Sequence, residues 1–255
     1  MQSGGEVPVV NMGYWPGIET HEPQAIERAV YALFDRVAEG ARIEAGRHVL
    51  DAGCGFGTNG LHLLQKHGAG RVTGLNVSAV QLETAARRTK AAGMEGRVEW
   101  VLGDVTKMPL ADAAVDRVVS VEAAFHFDTR DHFFAEAYRV LRPGGVLSMV
   151  DLVAPPPRHA LDRASLISIC RSQAMPMANV YDRAEYVARV RAAGFEVEEE
   201  ESIVDRVFPQ FRRWQMTRRP SLLLAYDWVF AIASLPYMIY PWDYIRLVAR
   251  KPILS

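Results

Sequence analysis

The chain has 255 residues, with 29 Lys and Arg against 30 Asp and Glu for a formal net charge of −1. That balance builds no global field for a polyanion, so nucleic acid is excluded as an expected partner. Hydrophobic residues make up 49% of the sequence, which suits one sizeable α/β domain and not a disordered or fibrous chain.

In chain order, Met1–Glu6 has no basic stretch followed by an apolar one, so no secretory signal is expected. From Glu22 to Glu39 the residues Ala25, Ile26, Ala29, Val30, Leu33, Phe34 and Val37 recur along one helical face. Residues 1–40 therefore read as an N-terminal segment and helix lying as a lid across a ligand entrance. Strands and helices then alternate: strand 47–51, helix 58–67, strand 71–76, helix 78–92, strands 98–102 and 115–121, helix 129–141 and strand 145–151. A sixth strand runs from Phe195 to Val204 and a seventh from Tyr244 to Ala249. Such alternation predicts a Rossmann-like, seven-stranded, mostly parallel sheet with helices on both faces and ligands at the carboxyl ends of the strands. Within this core, residues 41–255, two stretches at about 155–180 and 205–242 break the alternation and are expected to cap a substrate pocket. Ser221–Tyr240 is apolar enough for a bilayer span. Asp227 in its middle, Pro236 and the strand that follows favour a buried helix over the pocket.

The strand at 47–51 ends in Asp51 and drops into Gly53, Gly55 and Gly57, a loop that brings backbone close to a nucleotide-like ligand. Gly55-Phe56-Gly57-Thr58-Asn59-Gly60 also satisfies the dinucleotide pattern, but that reading wants an acid at the end of the next strand, where Asn76 stands. The register Asp51-Ala52-Gly53-Cys54-Gly55-Phe56-Gly57 resembles the first motif of class I S-adenosylmethionine-dependent methyltransferases. Four further blocks match in order and spacing: Gly74–Gln81, Val98–Val105, Val115–Glu122 and Arg139–Gly145. Their likeness is to small-molecule enzymes, the sugar and polyketide O-methyltransferases and the sterol and terpenoid C-methyltransferases. Asn11-Met12-Gly13-Tyr14-Trp15 resembles an N-terminal segment of the former.

The resemblance implies S-adenosylmethionine as cofactor and assigns its contacts. Gly53, Cys54 and Gly55 would meet the amino acid end, with Asp51 as acceptor for the loop or the ammonium, or else as a structural strand cap. Asn76 takes the place of the usual ribose-binding acid, helped by Gln81 or with Gln81 facing solvent. Val77, Gly103, Asp104 and Val105 would hold the adenine, and Glu122 at the end of the fourth strand borders the same site. Tyr14 either closes over the sulfonium or, with Trp15, staples the first helix. His126 is the candidate general base, against a packing role between Phe125 and Phe127. Asp151, ending the fifth strand, would orient His126 or bind the acceptor, or be a plain strand-end acid.

Met175, Met177, Phe211, Trp214, Tyr226, Trp228, Phe230, Tyr237 and Met238 crowd the two insertions and imply a lipophilic acceptor. Arg212, Arg213, Arg218 and Arg219 could hold a diphosphate or form a solvated helix face. No metal site or nucleic-acid partner is expected, a homo-oligomer is possible, and two cysteines, Cys54 and Cys170, fit a reducing cytoplasm. The competing class is a non-catalytic member of the fold that binds cofactor or partner only.

Overall fold

The computed structural model of the chain describes residues 11–217 and 240–253. The strand-forming runs make one seven-stranded sheet of β1 (His48–Ala52), β2 (Arg71–Asn76), β3 (Val98–Leu102), β4 (Val115–Val121), β5 (Leu141–Val153), β6 (Glu196–Ser202) and β7 (Asp243–Arg250). Their order across the sheet is β3-β2-β1-β4-β5-β7-β6. β1 to β5 pair in parallel, and β7 inserts antiparallel between β5 and β6. The strand order reverses between β1 and β4, which opens a crevice at their carboxyl ends.

The central strands are apolar on both faces because helices cover both. Leu50, Val118, Met149 and Leu247 point into a layer with α4 (Arg130–Val140) and α6 (Arg183–Ala192), where Phe133, Phe134 and Tyr186 are buried. Their neighbours Val49, Val119, Val150 and Tyr244 point the other way, onto α1 (Ala25–Ala41), α2 (Thr58–Gln65) and α5 (Ala160–Ser172). α3 (Ala79–Ala91) packs beside β2 and β3, and α7 (Phe208–Thr217) follows β6.

All seven apolar positions read from the helical spacing of α1 are buried. The helix lies so close on the sheet that a Cβ on Gly40 would stand 2.6 Å from Ser148 Oγ. Ser148 Oγ itself donates to Val37 O at 2.8 Å. Ahead of α1, the N-terminal segment is strapped down at three points: Met12 N donates to Glu122 Oε1, Tyr14 N to Ala29 O and Trp15 N to Arg206 O.

Among the strands, β5 departs most from the sequence reading. β5 is longer than expected at both ends, because Leu141 already pairs with Val115 and the strand runs on beside β7 to Val153. The acidic run Glu198–Glu201 of β6 is held by arginines. Arg36 of α1, Arg42 at its C-terminal cap, and Arg246 and Arg250 of β7 pair with it, at 2.5 Å for Arg36 and Glu201 and 2.7 Å for Arg246 and Glu199. Among the described residues no helix is long and apolar enough to cross a membrane. Ser221 to Pro236 and on to Ile239 lie outside them.

Candidate active site

The turn after β1 owes its shape to glycine. Gly53, Gly55 and Gly57 all have φ in the left-handed region, at 76°, 52° and 73°. A Cβ on Gly53 would meet Ala123 Cβ at 2.5 Å, and one on Gly57 would meet the Trp100 ring at 2.6 Å. At Gly55 a Cβ meets no protein atom within 4 Å. Gly53 and Gly57 let β1's loop dock on β4's loop and on β3, while Gly55 between them faces open space. Gly53 N and Cys54 N both donate to Leu75 O, at 2.9 and 3.2 Å, which fixes the loop on β2.

That open space is a cavity of about 540 Å³ at the crevice. On one side it is lined by Asn11, Asp51 and the loop, with Thr58 and Asn59 from the first turn of α2. Asp51 is 2% exposed, and burial pushes its carboxyl up to about 7 against the opposing Asn59 amide and Gly60 N–H. Four buried polar atoms here have no hydrogen-bond partner: Asn11 Nδ2, Asp51 Oδ2, Asn59 Nδ2 and Asn59 Oδ1. Orphans of this kind are costly unless a ligand satisfies them.

The middle of the cavity lies at the ends of β2 and β3. Asn76 Nδ2 donates to Gln81 Oε1 at 2.7 Å, so the two amides form a pair with Asn76 Oδ1 and Gln81 Nε2 remaining on it as acceptor and donor. Val77, Gly103, Asp104 and Val105 continue the wall, and Asp104 Oδ1 accepts from Thr106 N at 2.8 Å. The far end is formed by Glu122, Ala123, His126, Phe127 and Asp128.

Glu122 has φ 47°, a strained value for a residue with a side chain. Its Oε1 accepts from Met12 N at 2.7 Å and from Tyr244 OH at 2.5 Å, and burial pushes the carboxyl up to about 7 with those two bonds opposing. His126 sits exposed on a 3₁₀ turn, Ala124–His126, with its ring centroid 3.9 Å from that of Phe125. Desolvation lowers its pKa, with the Gln173 and Ala174 backbone and the Asp151 charge opposing in part, so the imidazole is neutral at pH 7.

The comparisons with known proteins agree with this geometry. A family model described as a methyltransferase domain matches residues 49–145. A methyltransferase named GfsG from Streptomyces halstedii is 34% identical over 221 residues, 86% of this chain and 74% of the relative. The chain belongs to the S-adenosylmethionine-dependent methyltransferases. The 27-O-demethylrifamycin SV methyltransferase of Amycolatopsis mediterranei is 29% identical over 94% of this chain and 89% of its own length. The crystal structure of the [4+2]-cyclase SpnF superposes with a TM-score of 0.75 at 26% identity, covering 96% of this chain and 89% of the other.

For a methyltransferase the cavity's chemistry fits S-adenosylmethionine. The orphaned Asp51, Asn59 and Asn11 atoms suit an ammonium and carboxylate, the Asn76–Gln81 pair a ribose diol, and Val77 and Val105 beside Asp104 an adenine. Asp51, Gly53, Cys54, Gly55, Asn76, Val77, Gln81, Gly103, Asp104, Val105, Glu122 and His126, all named from the sequence, lie around this one cavity. Asn11, Thr58 and Asn59 were missed. Thr58 and Asn59 carried a signal, since the first turn of a helix after a glycine loop faces the loop's ligand.

Two expected site residues are placed elsewhere. Tyr14 does not line the cavity: its N–H is tied to Ala29 O and its ring takes the Arg36 guanidinium at 5.6 Å, so Asn11 reaches the site in its stead. Trp15, 2% exposed against α1, is the staple. Asp151 is fully buried and not at a strand end, because β5 continues to Val153. Its Oδ2 accepts from Arg130 Nε at 2.8 Å and Tyr186 OH at 3.1 Å, and its Oδ1 from Phe125 N at 3.1 Å. Asp151 therefore anchors the turn carrying His126 and does not touch the ring. Arg130 and Asn179 complete this anchor, with Asn179 Nδ2 donating to Phe125 O and Phe127 O on either side of His126.

Of the residues expected on the acceptor side, those in the described part of the chain are placed as follows. Met175 is 4% exposed in the core, whereas Met177 is 55% exposed. Phe211 and Trp214 stack at 5.8 Å and pack on the Trp15 and α1 cluster. Arg212 and Arg213 face solvent. Tyr226, Trp228, Phe230, Tyr237, Met238, Arg218 and Arg219 lie outside the described residues.

Proposed function

We propose that this methyltransferase moves the methyl of S-adenosylmethionine to a hydroxyl of a lipophilic natural product, a polyketide or its glycoside. The observation that carries the reading is one cavity with two unlike ends: unpaired buried Asp51 and Asn59 at the first, a neutral, exposed imidazole at the other. The relatives named for O-methylation chemistry or natural products support the acceptor class. Bound in this cavity, the cofactor supplies an electrophilic methyl on a sulfonium, an excellent leaving group.

The protein's own work is then to position and to manage one proton. Asp51, Asn59 and Asn11 hold the amino acid end, the Asn76–Gln81 pair the ribose, and Asp104 the adenine amino group. The Asp151–Arg130–Asn179 anchor fixes the Ala124–His126 turn so that the His126 imidazole faces the acceptor hydroxyl and receives its proton. The covered α1 wall, with Phe34 at the cavity, keeps water out.

His126→Ala should lower turnover by roughly 10²–10⁴-fold while leaving S-adenosylhomocysteine affinity nearly intact, the range for loss of a general base. Normal turnover in that variant would exclude the base and move the reading toward carbon methylation. A second reading is a member of the fold that binds the cofactor without transferring its methyl, favoured by the likeness to a chain named for a cyclisation. Titration with S-adenosylmethionine followed by product analysis separates the two: cofactor bound, with no S-adenosylhomocysteine formed against any hydroxylated polyketide, supports the second.

A further inference from the structure

On the outer side of α1, away from the cavity floor, three side chains from two elements converge. Asp35 of α1 places Oδ1 2.7 Å from His62 Nε2 of α2 and 2.7 Å from His67 Nε2. His67 lies beyond the end of α2, brought back over His62 by the turn at Gly68, φ 73°, with Ala69 N bonded to Leu63 O. The two imidazole centroids are 5.2 Å apart at 71°. All three ligand atoms lie within 4.8 Å of one another, and the side chains are 22%, 9% and 18% exposed.

We propose that Asp35, His62 and His67 form a binding site for a Zn²⁺-class divalent cation that clamps α1 to α2. Two imidazoles and one carboxylate are the donor set of three-ligand zinc sites, and imidazole donors disfavour Mg²⁺ and Ca²⁺. With metal–ligand bonds of about 2.0–2.2 Å, tetrahedral ligand atoms stand roughly 3.3–3.5 Å apart. Admitting the ion would lengthen each of the 2.7 Å contacts by about 0.6–0.8 Å. A shallow surface depression of about 390 Å³, lined by Tyr31, Asp35 and Lys66, reaches the Asp35 side of the site and would give the entry path.

Hydrogen bonding alone is the competing account, since Asp35 Oδ1 can accept from both rings. Lys66 Nζ bonds Asp35 Oδ2 at 2.6 Å, but its side chain is 57% exposed and it leaves Oδ1 to the ion. The site is independent of the methyl-transfer reading, because none of its three residues lines the cofactor cavity.

The test uses the tag-free full chain, stripped with chelator and titrated with Zn²⁺ by calorimetry at pH 7.5, then with Co²⁺ by visible absorption. One Zn²⁺ per chain with Kd below about 10 µM, visible four-coordinate Co²⁺ bands and a rise of several degrees in Tm are expected. His67→Gln and Asp35→Asn should each weaken binding at least about tenfold. Lys66→Ala should bind at least as tightly as the parent chain. The parent titration decides even where a variant misfolds: no stoichiometric Zn²⁺ uptake overturns the site. So does full affinity in folded His67→Gln and Asp35→Asn, which would place the ion elsewhere.

Discussion

Gly55 and Gly57 stand two residues apart in the same loop, both left-handed, yet a methyl added to each should do different things. At either position alanine loses the freedom of glycine at positive φ, a cost of about 1–2 kcal/mol, set against about 0.4–1 kcal/mol gained by stiffening the unfolded chain. At Gly55 nothing further opposes it, since the added carbon meets no protein atom within 4 Å. At Gly57 the carbon would stand 2.6 Å from Trp100 Cη2 and 2.8 Å from Ala85 Cβ, an overpacking cost of about 1–3 kcal/mol more. For a chain of this size each kcal/mol moves Tm by roughly 2–4 °C. Gly55→Ala should therefore lower Tm by a few degrees and Gly57→Ala by roughly 6–12 °C. Binding should invert the order. The methyl of Gly55→Ala projects into the cavity, where the proposed cofactor's amino acid end would sit, and should weaken S-adenosylhomocysteine at least about tenfold, with Gly55→Val worse. Thermal unfolding and calorimetric titration of the variants measure both quantities. Normal affinity in Gly55→Ala would refute the idea that this glycine is bare for a ligand's sake.

Asp151→Asn leaves the Arg130 guanidinium buried without its counter-charge, so the variant should lose about 3–5 kcal/mol in urea unfolding. Wild-type stability in that variant would remove the anchor. Asp51 offers a pH test. Its folded pKa, about 7, lies above the unfolded 3.8, so the folded state holds the proton more tightly. The stability it contributes is complete below about pH 4 and is lost as pH rises through 7. At about 1.4 kcal/mol per unit, the window is worth at most about 4 kcal/mol. Asp51→Asn should therefore gain on the parent chain between pH 4 and 7, and a parallel pair of stability curves would contradict this. An ammonium that pairs with Asp51 should also expel its proton, so S-adenosylhomocysteine binding near pH 7 should release protons in the parent and fewer in Asp51→Asn. Calorimetry in two buffers of different ionisation enthalpy reads that difference.

What the sequence made legible was local. Strand periodicity, glycines at a strand end and an acid or amide at the next two strand ends are all short-range patterns, and a parallel sheet converts each into a place on the rim of one crevice. Asp51, Asn76 and Asp104 were assigned to the site through the family resemblance that these local patterns carry, with no knowledge of what faces them. The misplacements came from partners far away in the chain. Arg130 opens α4, a position where a charged side chain is ordinarily solvated. It is instead fully buried, and Asp151, 21 residues on, is drawn inward to neutralise it. Glu122 shows the same in reverse. Its carboxylate was placed at the site from its strand-end position, but its partners, Met12 N and Tyr244 OH, are 110 and 122 residues away. That triple junction explains why the N-terminal segment ends up at the cavity at all. With Met12 pinned to Glu122, the chain passes the rim at Asn11, whose unpaired Nδ2 then joins the orphans around Asp51. Tyr14, three residues on, is already committed to α1. Glu122 is thus the point at which the N-terminal segment, the last strand and the cavity meet, and burial pushes its carboxyl up to about 7. The cavity's charge near neutral pH consequently depends on two protons, this one and the one on Asp51.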